Sequence, residues 1–433
     1  MQVALKSLGC RLNEAELEHW ANGFQAAGHR LTTIVEDADL VVVNTCAVTR
    51  EAEKKSRQLI RRAQRRNATA KLVVSGCYAS LQPGAVNELP GVDLVVRNTE
   101  KDRLVDIVTR ELVAEAMPGS ATEPGEAALF ARGRNRAFIK IQDGCRHKCT
   151  FCIVTVARGA ERSRGTGDIV AEINRLHSRQ IQEAVLTGVH IGAYGHDLGT
   201  DLPALVKTIL AETDIPRLRL GSLEPWNIDE DFFELFANPR FMPHLHLPLQ
   251  SGSDTVLRRM GRRCRTGEYM DLARRAREMV PDMNLTTDII AGFPGETDIE
   301  WQQTLDFCRA VGFSHIHIFP YSARAGTRAA TLPGQVTAEV KKNRCRQLHG
   351  AARQMKHACM QRHVGRSLPI LVESDVGAMN GQPVRYGYSP NYLRVAIPVS
   401  GEFPPANSIV TVQAEYYDPV TATLLATIPG HVN

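Results

Sequence analysis

Three cysteines lie close together near the middle of the chain, in the run GCRHKCTFC from Gly144 to Cys152. At this C-x3-C-x2-C spacing, three thiolates can ligate three corners of a cubane iron–sulfur cluster and leave the fourth iron open to an exogenous ligand. Zinc is the structural alternative because His147 could complete a set of four ligands, although tight zinc sites more often pair two C-x2-C elements across a longer loop. The spacing therefore favours an iron–sulfur site at Cys145, Cys149 and Cys152.

Three further cysteines, Cys10, Cys46 and Cys77, are far apart in the sequence but occupy equivalent positions. Each one directly follows an apolar, strand-like run, in KSLGC, VVVNTC and VVSGC. Equivalent ends of neighbouring parallel strands lie side by side at one edge of a sheet, so we expect the three thiols to converge. Gly9 and Gly76 precede two of them and would ease the turns that direct the side chains. A second cluster with an open iron is predicted here.

The first hundred residues must supply the sheet that positions the scattered cysteines. They alternate apolar runs with amphipathic stretches, which is the βα pattern of a parallel sheet. Strands are predicted over residues 3–8, 40–44, 71–75 and 92–96, and helices over 13–27, 51–66 and 83–89. The pattern predicts an α/β domain with a flavodoxin-like parallel sheet over residues 1–115.

A segment rich in proline and glycine, residues 116–134, is predicted to be a linker. After it the alternation resumes over residues 135–364, with six strand candidates that begin near residues 138, 183, 217, 244, 285 and 314. Six βα units predict an open, partial barrel whose ligands collect at the carboxyl ends of the strands. The first of these strands ends just before the contiguous cysteine motif.

The last part of the chain changes character after a long helix predicted over residues 337–364. Short apolar runs separated by glycine, proline, asparagine and serine predict a small antiparallel β-barrel over residues 365–433. The sequence thus predicts three domains.

Composition is that of an ordinary globular protein, with 43% hydrophobic and 23% charged residues. No long apolar segment or secretion signal is evident, so we expect a cytoplasmic protein with no membrane partner. Reduced thiols are then the rule, which makes metal binding the leading explanation for six of the ten cysteines. The other four are expected to be structural: Cys264, Cys308, Cys345 and Cys359.

The contiguous motif after the first barrel strand resembles that of the radical S-adenosylmethionine superfamily. The resemblance implies that the open iron is chelated by S-adenosylmethionine, whose reductive cleavage releases a 5′-deoxyadenosyl radical able to abstract hydrogen from unactivated carbon. Phe151 occupies the position where the superfamily places an apolar residue against the adenine, and Gly188 lies in its short glycine-containing contact to the methionyl amino group. Four further cofactor contacts are expected at the ends of later strands: Glu224, Gln250, Ser251 and Gly292.

Together with Cys10, Cys46 and Cys77, the motif resembles the methylthiotransferases, whose three domains would span essentially the whole chain. That resemblance implies two 4Fe-4S clusters and S-adenosylmethionine as cofactors, a TRAM-like domain at the carboxyl end, a low-potential electron donor and a sulfur donor. The runs GCRLN, NTCAVT, KKSRQ, SGCYA and IQDGC are most similar to the enzymes that act on N6-threonylcarbamoyladenosine at position 37 of tRNA. The chain departs from the family pattern at residues 153–159, which lack the proline and the aromatic residue that are common after the third cysteine of the motif. The family's shape of the substrate entrance therefore cannot be carried over to this segment.

Charge gives partial support for a tRNA substrate. The net charge is only +5, but residues 54–71 and 341–366 each hold eight basic residues and no acidic one; such stretches could contact phosphates, although a solvated helix face explains either one alone. Three alternatives stay open: methylthiolation of N6-isopentenyladenosine in tRNA, methylthiolation of a ribosomal protein side chain, and an iron–sulfur redox sensor or electron carrier. Electron carriers generally close their clusters with four cysteines, which argues against the last.

Overall fold

The computed structural model describes residues 1–112, 136–379, 381–398 and 404–429. They form two compact units. The first combines the described part of residues 1–132 with Asp143–Arg162 and Ser322–Ala330, and the second contains the remainder of the described chain. The predicted linker, residues 116–134, lies outside the described residues. The cysteine motif at 145–152 groups with the amino-terminal sheet rather than with the barrel strand that precedes it in sequence.

A five-stranded parallel sheet forms the centre of the first unit, in the order β2-β1-β3-β4-β5. This is the strand order of the flavodoxin-like fold, as predicted. The strands are β1 (Gln2–Ser7), β2 (Arg30–Thr32), β3 (Leu40–Thr45), β4 (Lys71–Gly76) and β5 (Leu94–Val96). The helices are α1 (Arg11–Ala26), α2 (Arg50–Arg66), α3 (Cys77–Leu81), α4 (Pro83–Asn87), α5 (Leu104–Leu112) and α6 (Val154–Arg158). The short β2, α3 and α5 were not anticipated from the sequence.

Both faces of this sheet are buried. Val41 and Val43 of β3 pack into one hydrophobic cluster, while Leu40 and Val42 of the same strand pack into another. Successive side chains of a strand point to opposite faces, so a strand buried on both sides is apolar throughout. This explains the continuous valine runs that precede Cys46 and Cys77.

Six parallel strands form the curved sheet of the second unit. They are β6 (Arg136–Lys140), β9 (Glu183–Thr187), β10 (Arg217–Leu220), β11 (His244–His246), β12 (Asn284–Ala291) and β13 (His315–Pro320); two short strands, β7 (Gln142–Asp143) and β8 (Arg162–Ser163), fall between the first two. The ladders are β6-β9-β10 and β11-β12-β13, and isolated parallel bridges join the two sets. Within the described chain no ladder joins β6 to β13, so the sheet is the open six-stranded barrel that was predicted.

Helices cover the outside of this sheet and end at recognisable signals. They are α7 (Thr166–Ser178), α8 (Leu202–Glu212), α9 (Asp254–Met260), α10 (Thr266–Met279), α11 (Asp298–Val311) and α12 (Ala338–Gln361). Thr297 and Glu300 form a reciprocal capping box at the start of α11, and Gly312 ends that helix in a left-handed conformation. No helix of the described residues is both long enough and apolar enough to cross a membrane.

A closed five-stranded barrel follows α12, in the order β14-β15-β16-β18-β17. Its strands are β14 (Ser367–Met379), β15 (Gln382–Tyr388), β16 (Arg394–Pro398), β17 (Ile409–Asp418) and β18 (Thr423–Thr427). The pairing of β16 with β18 is parallel, so the barrel is mixed rather than fully antiparallel as predicted. The barrel closes only if β16 pairs with β18 along the edge that β15 leaves open. The direction of β18 is fixed by its antiparallel hairpin with β17, and in that direction β18 runs parallel to β16.

Three tyrosines of this small barrel pack against side chains of the protein itself. Tyr388 and Tyr392 stack on each other with ring centroids 4.8 Å apart. The Arg136 guanidinium lies over both rings and that of Arg219 lies over Tyr392, so these two tyrosines fasten the small barrel to the barrel strands. Tyr386 lies under the guanidinium of Arg394.

Candidate metal centres

The contiguous cysteine loop begins at Gly144, where the backbone has a φ of +74°. A Cβ at this position would collide with the carbonyl oxygen of Ala160, so only glycine fits. The loop is closed at its base by a hydrogen bond of 3.0 Å from the Cys145 N–H to the Gly159 carbonyl. The close packing of Gly144 and Cys145 against Gly159 and Ala160 therefore fixes the position of the Cys145 side chain.

Main-chain amides in this loop are directed at the sulfur atoms. The His147 N–H donates to Cys145 Sγ at 3.3 Å, and the Val154 N–H donates to Cys152 Sγ at 3.4 Å. Hydrogen bonds to ligating sulfurs are a standard feature of iron–sulfur sites because they stabilise the thiolate form. All three cysteines are half-buried, so their thiols are partly accessible instead of being packed into a core. Phe151 is also half-buried, and its contact to adenine stays a prediction.

The scattered cysteines come from three adjacent strands. Cys10 precedes α1 just after β1, Cys46 follows β3 directly, and Cys77 is the first residue of α3 after β4. The registers pair Ser7 with Asn44 and Thr45 with Gly76, so the three strand ends are level at one edge.

The three thiols lie close enough at this edge to influence one another. Burial is the main cause that raises the pKa of Cys46 to about 11, and the nearby Cys10 and Cys77 contribute to this rise. The backbone at Gly9 also passes so near that a Cβ there would lie 3.0 Å from Cys46 Sγ. Mutual repulsion of like charges at short range is the effect that binding of a metal cluster would relieve.

Polar groups hold these strand ends in place. The Cys46 N–H donates to Ser56 Oγ at 3.0 Å, and the same hydroxyl donates to the Cys46 carbonyl at 2.8 Å. The Asn98 side chain donates to Cys77 Sγ at 3.7 Å and to the Ala157 carbonyl at 2.8 Å. Asn98 thus links one scattered cysteine to α6, the helix that follows the contiguous motif.

A buried charge network joins the two cysteine sets inside the first unit. The Arg158 guanidinium donates to Glu16 Oε1 at 2.8 Å, to Asp143 Oδ1 at 3.1 Å and to Asn13 Oδ1 at 3.0 Å. The Lys101 ammonium pairs with the same two carboxylates. Asn13 lies three residues after Cys10, and Asp143 lies two residues before Cys145.

Charge within this network is balanced, since two cations face two carboxylates that are all nearly inaccessible to solvent. Burial alone would lower the pKa of Arg158, but Glu16, Cys77 and Asp143 together hold it well above its usual value. Glu16 and Lys101 carried no local signal, because their proximity depends on the sheet topology.

Cofactor contacts predicted in the second unit lie at strand ends, as expected. Gly188 directly follows β9, and a Cβ there would lie 2.8 Å from Ile191 and 2.9 Å from the Gln142 carbonyl. The Gln142 side-chain oxygen accepts from the main-chain N–H groups of Val189 and His190. Gln142, which the sequence did not reveal as a site residue, therefore fixes the shape of this turn.

Glu224 follows β10 and is the most distinctive of these positions. Its Oε2 lies 3.5 Å from His190 Nε2 and has no hydrogen-bond partner among the described residues. Burial raises the pKa of Glu224, and His190 partly offsets this effect. A buried, unsatisfied carboxylate oxygen fits an acceptor for ribose hydroxyl or amino groups.

The remaining three candidates are in tightly constrained loops. Gln250 has a φ of +79°, which is unusual for a residue with a side chain. The Ser251 hydroxyl is fully buried and shares a hydrogen bond with Thr304, and the Gly292 N–H donates to Glu296. Their contacts to a cofactor stay predictions.

Comparison with known proteins agrees with this arrangement. Residues 139–308 match the model of the Radical SAM superfamily, and residues 2–97 match that of the Uncharacterized protein family UPF0004. A radical S-adenosylmethionine methyltransferase, TsrM from Kitasatospora setae, has a similar fold, with a TM-score of 0.56 and 16% identity over 76% of this chain and 75% of that one. The fold and the contiguous motif together define a radical S-adenosylmethionine protein.

Relatives of similar length specify the group further. The chain is 36% identical to the threonylcarbamoyladenosine tRNA methylthiotransferase MtaB of Thermotoga maritima, over 90% of both chains. It is 35% identical to the protein of the same name from Bacillus subtilis, over 91% of this chain and 89% of the relative. A tRNA-2-methylthio-N(6)-dimethylallyladenosine synthase of Bacillus subtilis is 33% identical over 89% of this chain and 78% of the relative. The chain belongs to the radical S-adenosylmethionine methylthiotransferase family and is a transferase.

Membership in this superfamily implies a 4Fe-4S cluster and S-adenosylmethionine, and the residues present fit both. Three half-buried thiols, two of which accept main-chain hydrogen bonds at sulfur, suit the cluster. The unsatisfied oxygen of Glu224 suits the cofactor.

Proposed function

We propose that this protein adds a methylthio group to C2 of N6-threonylcarbamoyladenosine at position 37 of tRNA. The observation that carries the proposal is the presence of two three-cysteine sets in one compact unit. Relatives named for this activity match about nine-tenths of the chain at 34–36% identity. Relatives named for the dimethylallyladenosine reaction match at 33–35%, which makes that reaction the second candidate.

In this proposal the two cysteine sets have separate tasks. Cys145, Cys149 and Cys152 would hold the cluster to which S-adenosylmethionine binds, which would supply reductive cleavage of the sulfonium. Cys10, Cys46 and Cys77 would hold a second 4Fe-4S cluster, which would supply sulfur. A low-potential electron donor and a sulfur donor are then required as partners, and the cytoplasm, where tRNA is modified, is the expected location.

The chain's own residues bind and orient the cofactor. Glu224 Oε2, which accepts no hydrogen bond from the described residues, would accept one from the cofactor. Gln142 would keep the turn after Gly188 in the shape that lets the backbone approach the methionyl group, and Phe151 would supply an apolar contact to the adenine. The Arg158 network neutralises its own carboxylates and keeps the loop of Cys145 fixed relative to Cys10.

Basic residues exposed on two helices are proposed to bind the tRNA backbone. On α2 these are Lys54, Lys55, Arg61, Arg62, Arg65 and Arg66. On α12 they include Lys342, Arg346 and Arg353. Arg344 of the same helix has a different role, because it is buried and paired with Glu296 and Asp298.

Anaerobic reconstitution followed by nucleoside mass spectrometry tests the proposal. The substrate is tRNA from a strain that lacks this gene, in parallel with tRNA that carries isopentenyladenosine at position 37. We expect methylthiolated threonylcarbamoyladenosine as the product, with about eight irons per chain, four for each cluster. If only the isopentenyladenosine tRNA gave product, the proposed threonylcarbamoyladenosine substrate would be wrong. An iron content of about four per chain would show that the second cluster is absent.

A further inference from the structure

A group of polar side chains lies on the inner face of β11, β12 and β13, on the side opposite the helices. Leu245 and Ile316, whose side chains alternate with those of the group and lie on the other face, are buried. Within the group, His246 is nearly buried, Asp288 is half-buried and His317 is exposed. The register pairs Asp288 with His317, and β11 lies beside β12, so three neighbouring strands each contribute one side chain to the group.

Distances within the group are those of interacting polar atoms. His246 Nε2 lies 3.2 Å from Asp288 Oδ1, and His246 Nδ1 shares a hydrogen bond of 2.9 Å with Thr286 Oγ1. The rings of His246 and His317 are 5.4 Å apart between centroids, and one polar atom from each of the three residues lies within 4.8 Å of the others. Thr286 orients His246, which in turn faces Asp288.

Main-chain hydrogen bonds connect this group to the candidate cofactor contacts. The Gln250 N–H donates to the Asp288 carbonyl at 2.8 Å, and the Ile290 N–H donates to the Gln250 carbonyl at 2.9 Å. The Leu223 N–H, next to Glu224, donates to the His246 carbonyl at 2.9 Å. The group therefore lies toward the carboxyl ends of the strands, where open parallel sheets bind their ligands.

Chemically, the group offers a carboxylate acceptor beside imidazoles that can donate or accept hydrogen bonds. A threonylcarbamoyl substituent carries urea N–H groups, a carbonyl, a hydroxyl and a carboxylate, all of which need partners when they leave water. A dimethylallyl substituent carries no hydrogen-bonding group. It would displace water from the accessible parts of Asp288 and His317 and offer no hydrogen bond in exchange.

We infer that His246, Asp288 and His317 form the binding site for the polar substituent on N6 of the substrate base. Asp288 accepts hydrogen bonds from its N–H or O–H groups, and His317 binds its oxygen atoms. His246 holds Asp288 in position. This inference rests on the proposed function, and it identifies the residues that select a threonylcarbamoyl group over an apolar one.

The test measures binding and turnover of the reconstituted full-length enzyme with anticodon stem-loops. One carries threonylcarbamoyladenosine at position 37, and the other carries unmodified adenosine. The variants are His317→Ala and Asp288→Asn, with His196→Ala as the control because His196 is an exposed histidine elsewhere in the same unit. Iron content and formation of 5′-deoxyadenosine without tRNA establish that each variant is folded and loaded.

We expect each of the two variants to weaken binding of the modified stem-loop about tenfold or more, the effect of losing one hydrogen bond to a charged partner. Binding of the unmodified stem-loop should not change, and His196→Ala should behave as the wild type. Equal losses on both stem-loops, or no loss on either, would overturn the inference while leaving the proposed function intact. If the wild-type enzyme fails to modify the threonylcarbamoyl substrate, the proposed function itself fails.

A metal ion is the competing occupant for two histidines and a carboxylate. Mn²⁺ added to the reconstituted enzyme provides the probe, because bound Mn²⁺ loses the electron paramagnetic resonance signal of the free ion. One equivalent bound by the wild type and absent in His317→Ala would overturn the inference. No difference between the two proteins would support it.

Discussion

The two cysteine sets of the first unit show two different ways of building a three-thiol site. Cys145, Cys149 and Cys152 lie on one loop, and the shape of that loop is fixed locally, by a glycine turn at Gly144 and a closing hydrogen bond. Cys10, Cys46 and Cys77 are brought together only by the order of the strands. The first site depends on a few neighbouring residues, whereas the second depends on correct folding of the whole sheet.

Burial also differs between the sets. The cysteines of the loop are all half-buried, whereas in the scattered set Cys46 and Cys77 are buried and Cys10 is exposed. The raised pKa of Cys46 shows how unfavourable a lone thiolate would be at the sheet edge. Release of a metal from the scattered site is therefore expected to be limited by the buried Cys46 and Cys77, since Cys10 and, in part, the loop cysteines are accessible to solvent.

Replacing Cys149 should have the largest effect. Cys149→Ala removes one of three ligands from the loop, so S-adenosylmethionine cleavage should fall to background and no 5′-deoxyadenosine should form. Chromatography of an anaerobic reaction measures this. Cys345→Ala, a change to a half-buried thiol on α12, is the matched control and should keep wild-type cleavage. Turnover above background in Cys149→Ala would contradict the assignment of the radical-generating site.

Replacing Cys46 should separate the two sites. Cys46→Ala should abolish methylthiolation while S-adenosylmethionine cleavage continues without coupling to product, because the loop keeps its own cluster. Iron content should fall to about four per chain. Methylthiolated nucleoside formed by this variant would show that the scattered cysteines do not hold the sulfur-supplying cluster. Simultaneous loss of both activities would indicate a folding defect, which circular dichroism would reveal.

The two sets also differ in what the sequence could reveal. The loop was recognisable from spacing alone, and the scattered cysteines were recognisable once the runs before them were interpreted as parallel strands. The six barrel strands followed from the same alternation. Short elements such as β2 and α3 were missed because three to five residues carry too little periodicity to distinguish them from turns.

Residues that act through long-range contacts were the least predictable. Glu16, Lys101 and Arg158 are distant in sequence, and a charged residue on an amphipathic helix normally faces solvent. The parallel pairing of β16 with β18 was likewise hidden, since strand direction within a closed barrel depends on the whole topology. His246 and His317 alternate with apolar residues along their strands, and Asp288 lies between Thr287 and Ile289. Such a pattern indicates a two-faced strand but does not identify a ligand.

Arg158 tests whether the two sets share one support. Arg158→Gln leaves Glu16 and Asp143 buried with only Lys101 to balance them, so we expect a loss of about 3 kcal/mol in unfolding free energy. Denaturant unfolding followed by circular dichroism measures this. Arg146→Gln is the control in the same region, because Arg146 is 68% exposed and 3.5 Å from Glu161; it should change stability by no more than about 0.5 kcal/mol. Equal stability of the two variants would show that the buried network is not a shared support.

Asn98 should give the smallest effect and the sharpest distinction between the sets. Its side chain donates to Cys77 Sγ and to the Ala157 carbonyl, so Asn98→Ala removes two hydrogen bonds and should cost about 1–2 kcal/mol. Because Cys77 belongs to the scattered set, chelator-driven iron loss should accelerate for about half of the iron, with the rest released at the wild-type rate. Asn67→Ala is the control, because it removes side-chain hydrogen bonds to the main-chain carbonyls of Val35 and Ala38 at the carboxyl end of α2. It should leave the rates of iron loss from both sites unchanged. Faster release of all the iron in Asn98→Ala would mean that the loop, too, depends on this contact, and that the two sites are less independent than their construction indicates.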